Sequence, residues 1–188
     1  MKIYTITGPI GSGKTEVQKI LSNLGYECYC ADAMVQKIYS RKEIISEMSK
    51  IFPEYISDNS IDSKIIRDHI FKDSKKRVEL EKYIQPKVFK EFNNIIRDSK
   101  SEIIFFIFPI IQKNNFSKKY KSIYIEADEE IRLQRIMKRE KYNMQLSKKI
   151  VKLQNSFDNN KDNSDYYIKN NDSVSKLEKS VEELINKL

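Results

Sequence analysis

The run Gly8-Pro9-Ile10-Gly11-Ser12-Gly13-Lys14-Thr15 is a complete G-x-x-x-x-G-K-[ST] sequence, and no other stretch constrains the chain as much. An apolar, β-rich run from Lys2 to Thr7 precedes it. After it, Val17, Ile20, Leu21 and Leu24 fall at helical spacing on one face. Strand, glycine loop, helix is the context in which such a run forms an anion cradle. The glycines let the backbone curl so that successive N–H groups point inward. The helix opening at Lys14 adds the positive end of its dipole. Lys14 is expected to reach the β- and γ-phosphates of a nucleotide, and the Thr15 hydroxyl to ligate Mg²⁺. Pro9 lacks an N–H, but the donors of such a cradle come mostly from later residues. Glu16 fits a first helical turn and sits uneasily near phosphates. The chain has four glycines and three are in this loop, so the match does not reflect a glycine-rich composition.

With 188 residues, the chain has room for one α/β domain and a small inserted subdomain. Charged residues make up 33% and no run approaches the roughly 18 apolar residues that span a bilayer, so no membrane association is expected. The first strand has no basic-then-apolar leader before it, which predicts a cytosolic protein. Cys28 and Cys30 are expected on opposite faces of one strand and not to pair with each other. No second Cys pair or His cluster offers a zinc site, and His69 as the only histidine argues against a His-based triad. The net charge of +8 has three readings: a nucleic-acid partner, a solvated lysine-rich surface, or a site for small polyanions.

Further along, Glu27–Cys30 reads as a second strand, with Gly25 capping the helix before it. Ala31-Asp32-Ala33 follows, then a short helix through Tyr39; Glu43 to Phe52 reads as helical, and residues 57–60 as a polar turn. Ser63 to Asp98 has a helical pattern that Pro86 is expected to kink or break, giving a helical insertion over about 61–100. Ile103–Phe108 is almost wholly apolar, as a strand covered on both faces must be. Ser122–Glu126 and Tyr166–Ile168 read as strands, with a helix from Asp128 to about Lys138 and a last helix capped by Ser173. The alternation predicts an α/β fold, a parallel sheet with helices on both faces.

Asp32 follows the second strand, on the edge of a parallel sheet that faces ligand. It could take a proton from a phosphoryl acceptor or hold Mg²⁺, or it could be a helix N-cap; the residues alone leave these open. Arg132, Arg135 and Arg139 share one helix face, either as phosphate clamps or as a solvated basic face beside Glu129 and Glu130. The third strand ends at Phe108-Pro109 without an acidic residue, which speaks against a GTPase or a motor-type ATPase.

Together these residues resemble the dephospho-CoA kinase family nearly end to end. The loop matches at Gly8 and from Ile10 to Lys14. Cys30-Ala31-Asp32 stands where the family has Asp-Ala-Asp. Ile70-Phe71, Leu80-Glu81 and Gln85-Pro86 keep the spacing of its helical region. Pro109-Ile110-Ile111, Gln134-Arg135 with Arg139, Gln154, Ser164-Asp165 and Ile168-Lys169-Asn170 follow in order. Four positions depart: Glu16 replaces a hydroxyl residue, Cys30 an aspartate, Gln85 a histidine and Lys113 an acid.

The resemblance implies a P-loop NTPase-type kinase in which ATP phosphorylates the ribose 3′-hydroxyl of dephospho-CoA, the last step of coenzyme A biosynthesis. ATP would be held by Gly8, Ile10, Gly11, Ser12, Gly13, Lys14, Thr15, Arg135 and Arg139. Asp32, Lys14 and Arg139 would be catalytic, and Thr15 and Asp32 would hold Mg²⁺. The helical insertion would bind the acceptor, and a basic region over about 138–163 would close as a lid. No nucleic-acid partner is then needed, since both substrates are polyanions. Two rivals stand beside this reading. One is a small P-loop kinase acting on a nucleotide or another metabolite hydroxyl; the other is a nucleotide-binding protein without catalysis.

Overall fold

The computed structural model describes residues 1–108, 120–140, 144–155 and 161–188, the side chains at 67, 68, 71, 72, 139, 140 and 153 lying outside the description. In chain order the elements begin with β1 (Lys2–Thr7), α1 (Lys14–Asn23) and β2 (Glu27–Cys30). Next come α2 (Ala31–Tyr39), α3 (Lys42–Ile51), β3 (Ile56–Ser57), β4 (Ser60–Ile61), α4 (Ser63–Lys72) and α5 (Ser74–Asp98). The rest are β5 (Ile103–Ile107), β6 (Lys121–Glu126), α6 (Glu129–Glu140), α7 (Met144–Asn155), β7 (Tyr166–Lys169) and α8 (Val174–Ile185). They form two compact units, Met1–Cys30 with Ser101–Leu188, and Ala31–Lys100.

The first unit is built on a parallel sheet of order β2-β5-β1-β6-β7. β1 is its middle strand, with Ile6 opposite Ile107 on one side and Ile123 on the other. Ile104 to Ile107 of β5 are all buried, so both faces of the sheet are covered, as an unbroken apolar strand requires. On one face α1 contributes Val17, Ile20 and Leu21, and α8 contributes Leu177, Val181 and Leu184. These pack with Tyr4, Ile6, Phe105, Ile125 and Ile168. The expected α/β architecture is therefore present. α1 closes with Gly25 N–H on the Ser22 carbonyl and Tyr26 N–H on the Leu21 carbonyl, both at 3.0 Å, which is the cap expected of Gly25. The Ser173 hydroxyl accepts the Lys176 N–H and caps α8.

The cysteine expectation needs correcting. Cys28 and Cys30 both pack against this one core, because a strand's pleat repeats every two residues and positions two apart share a face. Both thiols are free, and burial pushes the Cys28 thiol up to about 11.

The second unit has its own core, with Ile38 and Tyr39 from α2, Ile44 and Met48 from α3, Ile66 from α4, and Leu80 and Ile84 from α5. Phe52 and Tyr55 stack within it at 5.6 Å between ring centres. Glu91 of α5 ties down α2 and the turn after it, accepting from Arg41 at 2.7 Å and Lys37 at 3.0 Å. The polar turn at 57–60 is a hairpin between β3 and β4, with Asp58 and Asn59 both at positive φ (49° and 57°). The helical interruption falls at Asp73 and not at Pro86. The Asp73 carboxylate accepts the N–H groups of Lys75 and Lys76 and starts a new helix. α5 then runs through Pro86 without a break. Leu80 and Ile84 before the proline and Phe92 after it are buried, and that packing offsets one lost helix bond.

Candidate active site

The loop between β1 and α1 begins at the carboxyl end of the sheet's middle strand. Gly13 caps α1 at φ 103°, a left-handed conformation that L side chains rarely adopt. A Cβ there would also run into the Asn170 side-chain amide. At Gly11 the constraint is proximity, since a Cβ would lie 2.8 Å from the Arg132 carbonyl oxygen. The loop is thus enclosed by α6 and by the segment that follows β7. The Asn170 side chain donates to the Ser12 carbonyl at 2.8 Å, and its backbone N–H donates to the Glu126 carbonyl at 2.7 Å. From α7, the Gln154 Oε1 accepts the Ile10 N–H at 2.5 Å.

Two cations converge on this loop. Lys14 Nζ donates to the Gly8 carbonyl at 2.6 Å and to the Pro9 carbonyl at 3.0 Å. Arg135 of α6 donates from Nη1 to the Gly11 carbonyl at 3.3 Å and from Nη2 to Asn170 Oδ1 at 3.4 Å. Among the described residues no carboxylate pairs with Arg135. The Thr15 hydroxyl belongs to an exposed residue in the first turn of α1. Glu16, the awkward neighbour, is ion-paired with Lys19 at 3.2 Å, on its own helix.

On the basic face of α6, Arg135 is half-buried and Arg132 is buried. Arg132 is only 4% exposed. Its Nη2 donates to Asn155 Oδ1 at 3.0 Å, and Glu129 lies 4.0 Å away. Arg139 belongs to α6 by its backbone, and its side chain lies outside the described residues.

Asp32 is the second residue of α2, which follows β2 without a gap. It is exposed and, among the described residues, has no hydrogen-bond or ion-pair partner, so it accepts no N–H as a cap would. Of the helical-region matches, Leu80 is buried in the second unit's core and Ile70 packs against it, while Gln85 is exposed beside Pro86 on α5. Pro109, Ile110, Ile111 and Lys113, and the side chain of Phe71, lie outside the described residues. The family resemblance picks out Gln154 and Asn170 without attaching a role to either. They touch the loop from 144 and 158 positions away, a distance that no local pattern spans.

The dephospho-CoA kinase family model matches residues 2–176. The chain belongs to the dephospho-CoA kinase family. A dephospho-CoA kinase of Fusobacterium nucleatum subsp. nucleatum is 31% identical over 183 residues, covering 96% of this chain and 95% of that one. The solved structure of a dephospho-CoA kinase from Campylobacter jejuni superimposes with a TM-score of 0.72 at 25% identity, covering 100% of this chain and 97% of the other. A shikimate kinase from Acinetobacter baumannii, in complex with shikimate, shares the fold at a TM-score of 0.57 and 17% identity, covering 100% of this chain and 94% of that one. The family's reaction is the ATP-dependent phosphorylation of dephospho-CoA in coenzyme A biosynthesis, and this chain is such a transferase. Among the described residues, no helix is long and apolar enough to cross a membrane.

Proposed function

We propose that the loop from Gly8 to Thr15 grips the phosphates of ATP, and that Asp32 activates the ribose 3′-hydroxyl of dephospho-CoA. The carboxylate of Asp32 takes the hydroxyl proton as the oxygen attacks the γ-phosphorus. The bond from that phosphorus to the β–γ bridging oxygen breaks, and ADP leaves. Lys14, Arg135 and Arg139 stabilise the charge that develops on the transferring phosphoryl group. The observation that carries this reading is the convergence of Lys14 and Arg135 on loop carbonyls, with no carboxylate on Arg135 among the described residues. A guanidinium held only by neutral oxygens is suited to receive a phosphate.

Magnesium fits the residues present. The Thr15 hydroxyl and the Asp32 carboxylate are exposed oxygen donors, and Mg²⁺ takes one or two such ligands together with phosphate and water. Held by these two residues, such an ion would supply positive charge that offsets the charge of the transferring phosphate. The helical unit Ala31–Lys100, with the insertion at about 61–100, holds the acceptor, and the region over about 138–163 acts as a lid that excludes water. The +8 charge serves two polyanionic substrates in a cytosolic enzyme, without a nucleic-acid partner.

The test is a comparison of kcat/KM for dephospho-CoA, adenosine, AMP and shikimate at saturating Mg-ATP. Dephospho-CoA is expected to lead, because adenosine lacks the diphosphate and the pantetheine arm that orient the hydroxyl. Gln85 donates and accepts where the family resemblance implies a histidine, so its cost should fall on acceptor KM more than on kcat. Equal or better turnover of AMP would make the chain a nucleotide kinase. No turnover of any acceptor would favour a nucleotide-binding protein without catalysis.

A further inference from the structure

Gln154 has no part in the transfer just described, yet it bonds directly to the loop. Its Oε1 takes the Ile10 N–H at 2.5 Å, while the Ile10 side chain packs against Leu133 and Ile136 of α6 and Val151 of α7. The next residue, Asn155, accepts from Arg132 and donates to Glu129 Oε2 at 3.2 Å, so the end of α7 is also fastened to α6.

The peptide that Gln154 grips has a second end. A trans peptide is planar, with its N–H and C=O pointing in opposite directions. Fixing the Ile10 N–H toward Gln154 therefore aims the Pro9 carbonyl the other way. That carbonyl accepts Lys14 Nζ at 3.0 Å and the Ser12 N–H at 3.2 Å. A flip of this one peptide would lose all three bonds together. We propose that Gln154 is a positioning residue that, through the Pro9–Ile10 peptide plane, sets the resting place of Lys14 and couples the seating of α7 to ATP binding. The coupling to ATP rests on the reading that this loop holds its phosphates.

The experiment compares Gln154→Met, which keeps the length of the side chain and removes the acceptor, with Gln154→Glu, which keeps an acceptor. Hydrogen exchange at the Ile10 amide and steady-state kinetics in ATP are read on the whole chain. Gln154→Met should speed Ile10 exchange at least about tenfold and raise the KM for ATP about tenfold, with a smaller change in kcat. Gln154→Glu should keep the amide protected. Its KM for ATP should rise through charge alone, and that rise should shrink with added salt, whereas the rise in Gln154→Met should not. Unchanged Ile10 protection in Gln154→Met would overturn the proposal, as would faster exchange with an unchanged KM for ATP. Loss of protection in Gln154→Glu would overturn it too. Turnover that survives Lys14→Ala would instead refute the loop as the ATP site, so the two ideas fail by different measurements.

Discussion

The Asn170 side-chain amide donates to the Ser12 carbonyl at 2.8 Å, joining a residue just past β7 to the middle of a loop that follows β1. β6 stands between these two strands, and the carboxyl ends of all three gather at one edge of the parallel sheet. The curve of the loop is therefore fixed partly by the far end of the chain.

Asn170→Ala should cost about 1–3 kcal/mol of stability, because it leaves the Ser12 carbonyl without this donor in a buried place. In a chain of this size that is a fall in Tm of about 2–4 °C for each kcal/mol. Gly13→Ala should be worse, combining strain at φ 103° with a collision at Asn170. Thermal melts and ATP titration of both variants check this, and a parental Tm in Asn170→Ala would remove its structural role.

Lys14→Ala should abolish phosphoryl transfer and leave the fold intact. The ammonium bonds to the loop carbonyls of Gly8 and Pro9, which the shorter side chain cannot reach. A circular dichroism spectrum like the parent's, with turnover lost by about a hundredfold or more, is the expected pair of results.

Asp32→Asn should lower kcat by about a hundredfold or more while ATP affinity stays near the parent's. Asn keeps the shape of Asp but cannot take the proton. Stability should hardly move, since the carboxylate is exposed and accepts no N–H from its own turn. A variant that melts early and turns over normally would make Asp32 a structural residue.

Glu91→Gln tests the helical unit by pH. Hydrogen bonds from Arg41 and then Lys37 hold the Glu91 carboxyl below the usual range. Its folded value is thus depressed relative to about 4.3 in the unfolded chain. Such a group contributes stability that is complete above the unfolded value and is lost as pH falls through the folded one. The substitution should cost about 1 kcal/mol at neutral pH, as the cations are partly exposed. The difference in Tm between variant and parent should close as pH falls through the depressed folded value of Glu91.

The sheet and the loop were legible because their signals are local: an apolar run at 103–107, glycines at fixed spacing, and a 3.6-residue stripe at Val17, Ile20 and Leu21. The break at Asp73 was not, because a carboxylate cap competes with a proline thirteen positions later, and tertiary packing decides which one ends a helix. Arg132, on a helix face shared with Arg135, gave no sign of burial, since its partner Asn155 lies on another helix. Gln154 and Asn170 illustrate the same limit. An amide side chain has no periodic signature, and its partner is known only once the strands are ordered.

β1 has a consequence for how the protein is made. Both of its neighbours come late: Lys2 is matched with Ile103, and Thr7 with Tyr124. On a translating ribosome, the nascent β1 must wait with both edges unpaired while residues 31–100 are synthesised, a stretch that forms a compact unit of its own. A stall before β6 would leave an apolar ribbon, Ile3 to Ile6, open to chaperones or to another chain.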